Sequence, residues 1–76
     1  MNNERRKRLK NSIQLLHQSS EILVDVVTDE EDTLNGMPES LSHTDQYQTM
    51  ECAVNSLDEA IEKLDQVIEL VEDAME

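Results

Sequence analysis

Apolar residues recur at alternating steps of three and four along the second half of the chain. The row consists of Tyr47, Met50, Val54, Leu57, Ile61, Leu64, Ile68, Val71 and Met75. Such steps average about 3.5 residues, so in a helix these side chains lie along one narrow face. Because an apolar face of this length must be buried, the pattern predicts a helix over about residues 44–73 and a second helix that covers it.

The first half of the chain repeats these steps and predicts a helix over about residues 3–34. Asn2 or Asn3 can cap its start by accepting a hydrogen bond from a free backbone N–H group. Ser20 and Glu30 are the two polar interruptions of the apolar row. The apolar members of the row are Leu9, Ile13, Leu16, Leu23, Val27 and Leu34.

A connection is predicted over about residues 35–43. Asn35-Gly36 favours a turn with positive φ and can end a helix, whereas Pro38 cannot continue one. Ser42 and Thr44 are both candidates for the residue that caps the second helix. Two rods of similar length and a short connection predict an all-α fold, an antiparallel two-helix hairpin that forms a single domain over residues 1–76.

Each helix also carries a second row of apolar or small residues beside its main face. A hairpin buries one face of each helix, so these flanking rows require a further surface. The arrangement favours a homodimer, in which two hairpins pair as a four-helix bundle. We predict an oligomer interface formed by Leu15, Ile22, Val26, Ala53, Ala60 and Val67.

The charges are distributed unevenly along the chain. Formal net charge is −12, yet residues 11–76 carry 17 acids and one Lys. Five of the six cations form a basic segment, defined as Arg5, Arg6, Lys7, Arg8 and Lys10. Antiparallel packing places this segment beside the acidic end of the second helix, where the opposite charges attract. Alternatively, the basic segment docks on an acidic partner or binds the phosphates of a nucleic acid. The nucleic-acid alternative is disfavoured because the segment itself contains no aromatic residue to stack on bases and is attached to an acidic chain.

A row of carboxylates runs along the predicted second helix, and it has two interpretations. It is either the solvated face of an amphipathic helix or a binding surface for a partner protein. A straight row at roughly 5–6 Å spacing can also imitate a nucleic-acid backbone. The predicted partner-binding residues are Asp58, Glu62, Asp65, Glu69, Glu72 and Asp73.

Residue patterns typical of catalysis, metal binding or cofactor binding do not occur. His17 and His43 are far apart, and the single Cys52 has no partner for an internal disulfide. The phosphate-binding loop and the nucleophile elbow are also missing. We therefore expect a protein that is not an enzyme and needs no cofactor. No secretory signal or membrane-spanning stretch is recognisable, which favours a cytoplasmic location without membrane contact.

The basic start of helix one, the segment Asn35-Gly36-Met37-Pro38-Glu39-Ser40-Leu41 and the acidic second helix together resemble a group of small proteins. These are acidic helical-hairpin proteins of bacteriophages and prophages, mostly without assigned function. The resemblance implies a phage or mobile-element origin, and a bacterial host cell as the place of action. It also implies binding to a host or phage protein, and it transfers no functional residues. Ser42, His43 and Tyr47 depart from the pattern.

The first hypothesis is thus a non-catalytic protein-binding module that engages a host or phage protein through its acidic face, as an inhibitor or nucleic-acid mimic. A structural or assembly protein that acts through helical oligomerisation is the alternative. Nucleic-acid binding through the basic segment is the third.

Overall fold

The computed structural model describes all 76 residues and consists of two long helices joined by a short connection. Helix α1 spans Asn3–Asn35, a single 3₁₀ turn spans Glu39–Leu41, and helix α2 spans Asp45–Met75. The two helices pack against each other along their length in a rod whose Cα atoms extend over 59 × 15 × 13 Å. The expectation of an all-α fold with two packed helices is confirmed. Neither helix has an apolar stretch long enough to cross a membrane.

Side-chain caps fix the starts of both helices. The Asn2 side-chain oxygen accepts a hydrogen bond from the Arg5 N–H at 2.8 Å. Of the two candidates at the second helix, Thr44 is the cap, since its Oγ1 accepts from the Tyr47 N–H at 3.2 Å. The Ser42 hydroxyl instead donates to the Glu39 carbonyl oxygen at 2.7 Å within the 3₁₀ turn. Each cap satisfies a backbone donor that the first helical turn leaves free.

The end of α1 differs from the sequence prediction. Gly36 is the residue after the helix, and its N–H donates to the Asp32 carbonyl oxygen at 3.1 Å. Its φ is −85°, in the right-handed region, and no residue of the chain has positive φ. The positive φ expected of the Asn35-Gly36 turn was therefore wrong. Because the 3₁₀ turn that follows reverses the chain, a left-handed glycine is not needed.

The predicted apolar rows form the contact between the helices. Val27, Val54 and Ile68 are buried, and every other member of the two rows is half-buried. The polar interruptions, Ser20 and Glu30, are half-buried in the same rows. Numbered as heptads abcdefg, the row residues occupy the a and d positions, the seam of a coiled coil. This seam is the only core, since two helices enclose little interior.

Candidate interaction surfaces

Metal-ligating groups do not converge at any point on the rod. No group of three His, Cys, Asp or Glu side chains is arranged to hold a metal ion. His17 lines a shallow groove with Lys10, Ile13, Glu72 and Met75. Cys52 is an exposed free thiol.

Antiparallel packing decides which outer positions share a side of the rod. A two-fold axis perpendicular to the plane that contains both helix axes relates the two helices of the hairpin. A rotation about this axis does not exchange the two sides of the plane. The e positions of both helices therefore lie on one side, and the g positions lie on the other. The groove at the open end agrees with this, because Lys10, His17 and Glu72 all occupy e positions and line it together.

One side of the rod presents the acidic face. We define it by the six partner-binding residues predicted above, all of which are exposed: Asp58, Glu62, Asp65, Glu69, Glu72 and Asp73. Five of them occupy e and b positions, and Asp73 lies at an f position on the back of α2. The exposed Glu51 extends the e row towards the connection, and sequence reasoning missed it. Lys63, which pairs with Glu59 at 3.6 Å, lies away from the e side.

The opposite side presents an apolar face at the g and c positions of both helices. The six predicted interface residues all lie here and are exposed in the single hairpin. Ile22 is 62 % exposed, and Leu70, which sequence reasoning missed, is 68 % exposed. The sequence pattern does not mark Leu70 as a member of an apolar row, because Lys63, which lies one heptad before it at the same c position, is charged. We define the apolar face as Leu15, Ile22, Val26, Ala53, Ala60, Val67 and Leu70.

Few charges interrupt the apolar face. From Arg8 to Thr33 on α1 and from Gln46 to Ala74 on α2, the g and c positions hold only Arg8, Asp29 and Lys63 as ionisable residues. The remaining positions are Ser, Thr, Gln or apolar residues. The apolar face is therefore an exposed surface of low charge on an otherwise acidic chain.

The basic segment lies beside the end of α2, but it does not pair with the acids there. Arg6 Nε donates to the Met75 carbonyl oxygen at 2.9 Å. The chain has a single ion pair within 4.0 Å, between Lys63 and Glu59, so none of the five cations of the segment contacts a carboxylate. The expected pairing with the C-terminal acids is thus replaced by one bond to a backbone carbonyl. Long exposed side chains gain little from a direct ion pair in water.

Charge is also polarised along the rod. The half that contains the connection, residues 20–60, carries eleven carboxylates and no Lys or Arg. The open half, residues 1–19 and 61–76, carries seven carboxylates and all six cations. The formal charges are therefore −11 for the connection half and −1 for the open half. The two ends of the hairpin present different electrostatic surfaces to any partner.

No protein-family model, curated protein or solved structure matches the chain. The resemblance to small phage and prophage proteins accordingly stays a prediction, as do the partner and the location that it implied.

Proposed function

We propose that this chain is a non-catalytic protein-interaction module. Its acidic face binds a basic surface of a partner protein, and its apolar face joins two copies into a four-helix bundle. The observation that supports this most directly is the separation of the two faces. Carboxylates dominate one side of the rod, whereas the opposite side is nearly free of charge.

The acidic face has the properties of a docking surface for cations. Its six carboxylates are exposed, and none of them has a cation within 4.0 Å that would neutralise it. Neighbours at helical steps of three and four lie roughly 5–6 Å apart, which suits a row of Lys or Arg side chains. Partners of this kind include clefts that hold a nucleic-acid backbone, so inhibition by mimicry belongs to the same proposal. Long-range attraction would speed the encounter at low salt.

The dimer is supported by the small size of the internal core. Only three of 76 residues are buried in the hairpin, whereas Leu15, Ile22 and Leu70 are more than half exposed. A two-helix unit of this size has little apolar burial with which to offset chain entropy. Packing two apolar faces together would remove these side chains from water at about 25 cal/mol per Å² of apolar surface.

The acidic face is tested with two variants of equal charge. In the first, Asp58→Asn, Glu62→Gln, Asp65→Asn and Glu69→Gln remove four charges from the face. In the matched control, Glu4→Gln, Asp25→Asn, Asp32→Asn and Asp45→Asn remove four charges from the f positions at the back of both helices. Each immobilised protein is incubated with a lysate of the source cells, and bound protein is eluted by a salt gradient.

We expect wild type and control to retain the same partner, and the face variant to lose it. Equal retention by both variants would show that the acidic face is only solvated. Circular dichroism of both variants checks that the helices are intact.

The alternative function is a structural one, in which the apolar face packs into a larger assembly rather than into a simple dimer. The exposed Leu15–Ile22–Val26 row on α1 favours it. Sedimentation equilibrium separates the cases, since a dimer has twice the 8.7 kDa of the chain and an assembly has a larger mass. Ile22→Glu should reduce either species to a monomer. An unchanged mass would exclude this face as the interface.

A further inference from the structure

We propose that the two hairpins of the dimer lie inverted, so that the open end of each packs beside the connection of the other. This inference rests on the proposed dimer and goes beyond it, because it assigns one of two geometries. A two-fold axis in the plane of the interface can run along the rod or across it. The first choice places both connections at the same end, and the second places them at opposite ends.

The uneven distribution of charge along the rod favours the two-fold axis that runs across the rod. An axis along the rod would lay two halves of −11 against each other, and all six cations would be in the other half of the rod. An axis across the rod lays each −11 half against a −1 half that holds six cations. Like charges that face each other across an interface oppose association, whereas complementary potentials favour it. The apolar face itself contributes the contact area in both cases, so the charges decide between them.

The inverted arrangement also gives the apolar residues suitable neighbours. An axis that crosses α1 between Ser19 and Ile22 sets Leu15 level with Val26 of the second copy. Since α2 is antiparallel to α1, the same axis crosses α2 near Ala60 and sets Leu70 within about 3 Å of the height of Ala53 of the second copy. Large side chains thus meet small or medium ones on both helices. Lys63 lies near the axis, where its pairing with Glu59 at 3.6 Å offsets its charge.

Arg8 and Asp29 then form the charged border of the interface. In the inverted dimer Arg8 lies within about one helical turn of Asp29 of the second copy. Within a single hairpin the two residues are 21 positions apart on one helix, which is about 30 Å at 1.5 Å per residue. Any energetic coupling between them must therefore act through the second copy.

The area of the apolar face agrees with a stable pairing. The face runs from Arg8 to Thr33, about 40 Å at 1.5 Å per residue, and is roughly 15–20 Å wide. The resulting area of about 700 Å² per copy is near the roughly 800 Å² per partner of a standard specific interface.

Distances between spin labels test the geometry. Cys52→Ser removes the native thiol, and Asn3→Cys then carries one label near the open end of each hairpin. Pulsed electron resonance should give about 50 Å between labels in the inverted dimer, and about 20 Å when both open ends lie together. A second labelled variant, Ser40→Cys in the same background, should also give a long distance in the inverted dimer.

The mass of the oligomer and the distance between spin labels together distinguish a failure of the inverted geometry from a failure of the dimer. A dimeric mass with about 20 Å at both positions overturns the inverted geometry and leaves the dimer intact. A monomeric mass at the labelling concentration overturns the dimer and the geometry together. A dimeric mass with long distances at both ends supports the proposal.

A charge exchange provides an independent test. Arg8→Glu should raise the dimer dissociation constant about tenfold, because two symmetric contacts become repulsive. Arg8→Glu combined with Asp29→Arg should return it to within about threefold of wild type. Arg8→Glu combined with Asp25→Arg is the matched control, since Asp25 lies on the back of α1. Equal behaviour of the two double variants would contradict the inverted arrangement.

Discussion

Arg6 and Met75, which are 69 positions apart in the chain, are joined by a hydrogen bond from the guanidinium Nε to the carbonyl oxygen at 2.9 Å. The bond closes the open end of the hairpin, where no connection holds the helices together. It also satisfies one of the last four carbonyl groups of α2, which have no partner within the helix. A cation at the C-terminal end of a helix is favoured further by the helix dipole.

Replacing Arg6 should loosen the open end of the rod. For Arg6→Gln we expect a loss of about 1 kcal/mol in the free energy of unfolding, measured by urea denaturation. Amide hydrogens in the last turn of α2 should exchange faster as well. Arg5→Gln removes the same charge from a residue whose side chain makes no hydrogen bond, and should cost little. An equal loss in both variants would mean that overall charge, rather than this bond, is responsible.

Ile68 should carry a large share of the stability of α2. It is the most buried residue of the chain at 4 % exposure. Ile68→Ala is expected to lower the free energy of unfolding by about 2–4 kcal/mol, through lost burial and an unfilled cavity. The comparison is Gln66→Ala, an exposed position on the same helix, where the change should stay within about 0.5 kcal/mol. Thermal unfolding followed by circular dichroism measures both, and similar melting temperatures would contradict the seam described above.

Filling the polar gap at Ser20 should stabilise the hairpin. Ser20 is half-buried in the a/d row, where its neighbours in the row are apolar. Ser20→Leu should raise the free energy of unfolding by about 1 kcal/mol, because a new apolar side chain is removed from water. Gln18→Leu adds the same side chain at an exposed f position of α1 and should change little. Should Ser20→Leu destabilise the protein, the space around Ser20 is too tight for a larger residue.

Gly36→Ala should be tolerated, in contrast to what an Asn-Gly turn suggests. With φ at −85° an L-residue is unstrained, and an added Cβ would lie 3.4 Å from the Asp32 carbonyl oxygen. We expect a gain of about 0.4–1 kcal/mol, because alanine restricts the unfolded chain more than glycine does. Gly36→Asn distinguishes the alternatives, since Asn tolerates positive φ better than Ala. A lower melting temperature for the alanine variant than for the asparagine variant would indicate a left-handed turn in solution.

The seam of the hairpin was predictable because it follows from backbone geometry alone. Steps of three and four place the nine residues of the row that runs from Tyr47 to Met75 on one side of α2, and all nine are buried or half-buried there. An Asn cap at the start of α1 follows similarly from the chemistry of a helix start, whereas the choice of Asn2 over Asn3 came from the structure. The details of the connection were not predictable. Whether Ser42 or Thr44 caps α2, and which φ Gly36 adopts, depend on the path of the chain through the 3₁₀ turn.

The interaction surfaces were only partly predictable. The sequence shows the acidic row and the flanking apolar rows, yet it does not show that the rows of both helices share one side of the rod. That relationship requires the antiparallel arrangement, and with it Leu70 joins the apolar face. The ion pairing expected between the basic segment and the C-terminal acids of α2 failed for another reason. Oppositely charged side chains at similar heights on two packed helices can still extend into water, where an ion pair adds little to the stability of the fold.

The even pairing of the two helices has a consequence for the order of folding. Val27 and Val54 are buried and almost equally distant from the connection, whereas contacts nearer the open end join residues far apart in the chain. Bringing two residues together costs entropy that rises slowly with the length of the intervening chain, about 0.6 kcal/mol for each doubling. The shortest loops close first, so we expect the hairpin to zip from the 3₁₀ turn outward, with Arg6 and Met75 as the last pair to meet.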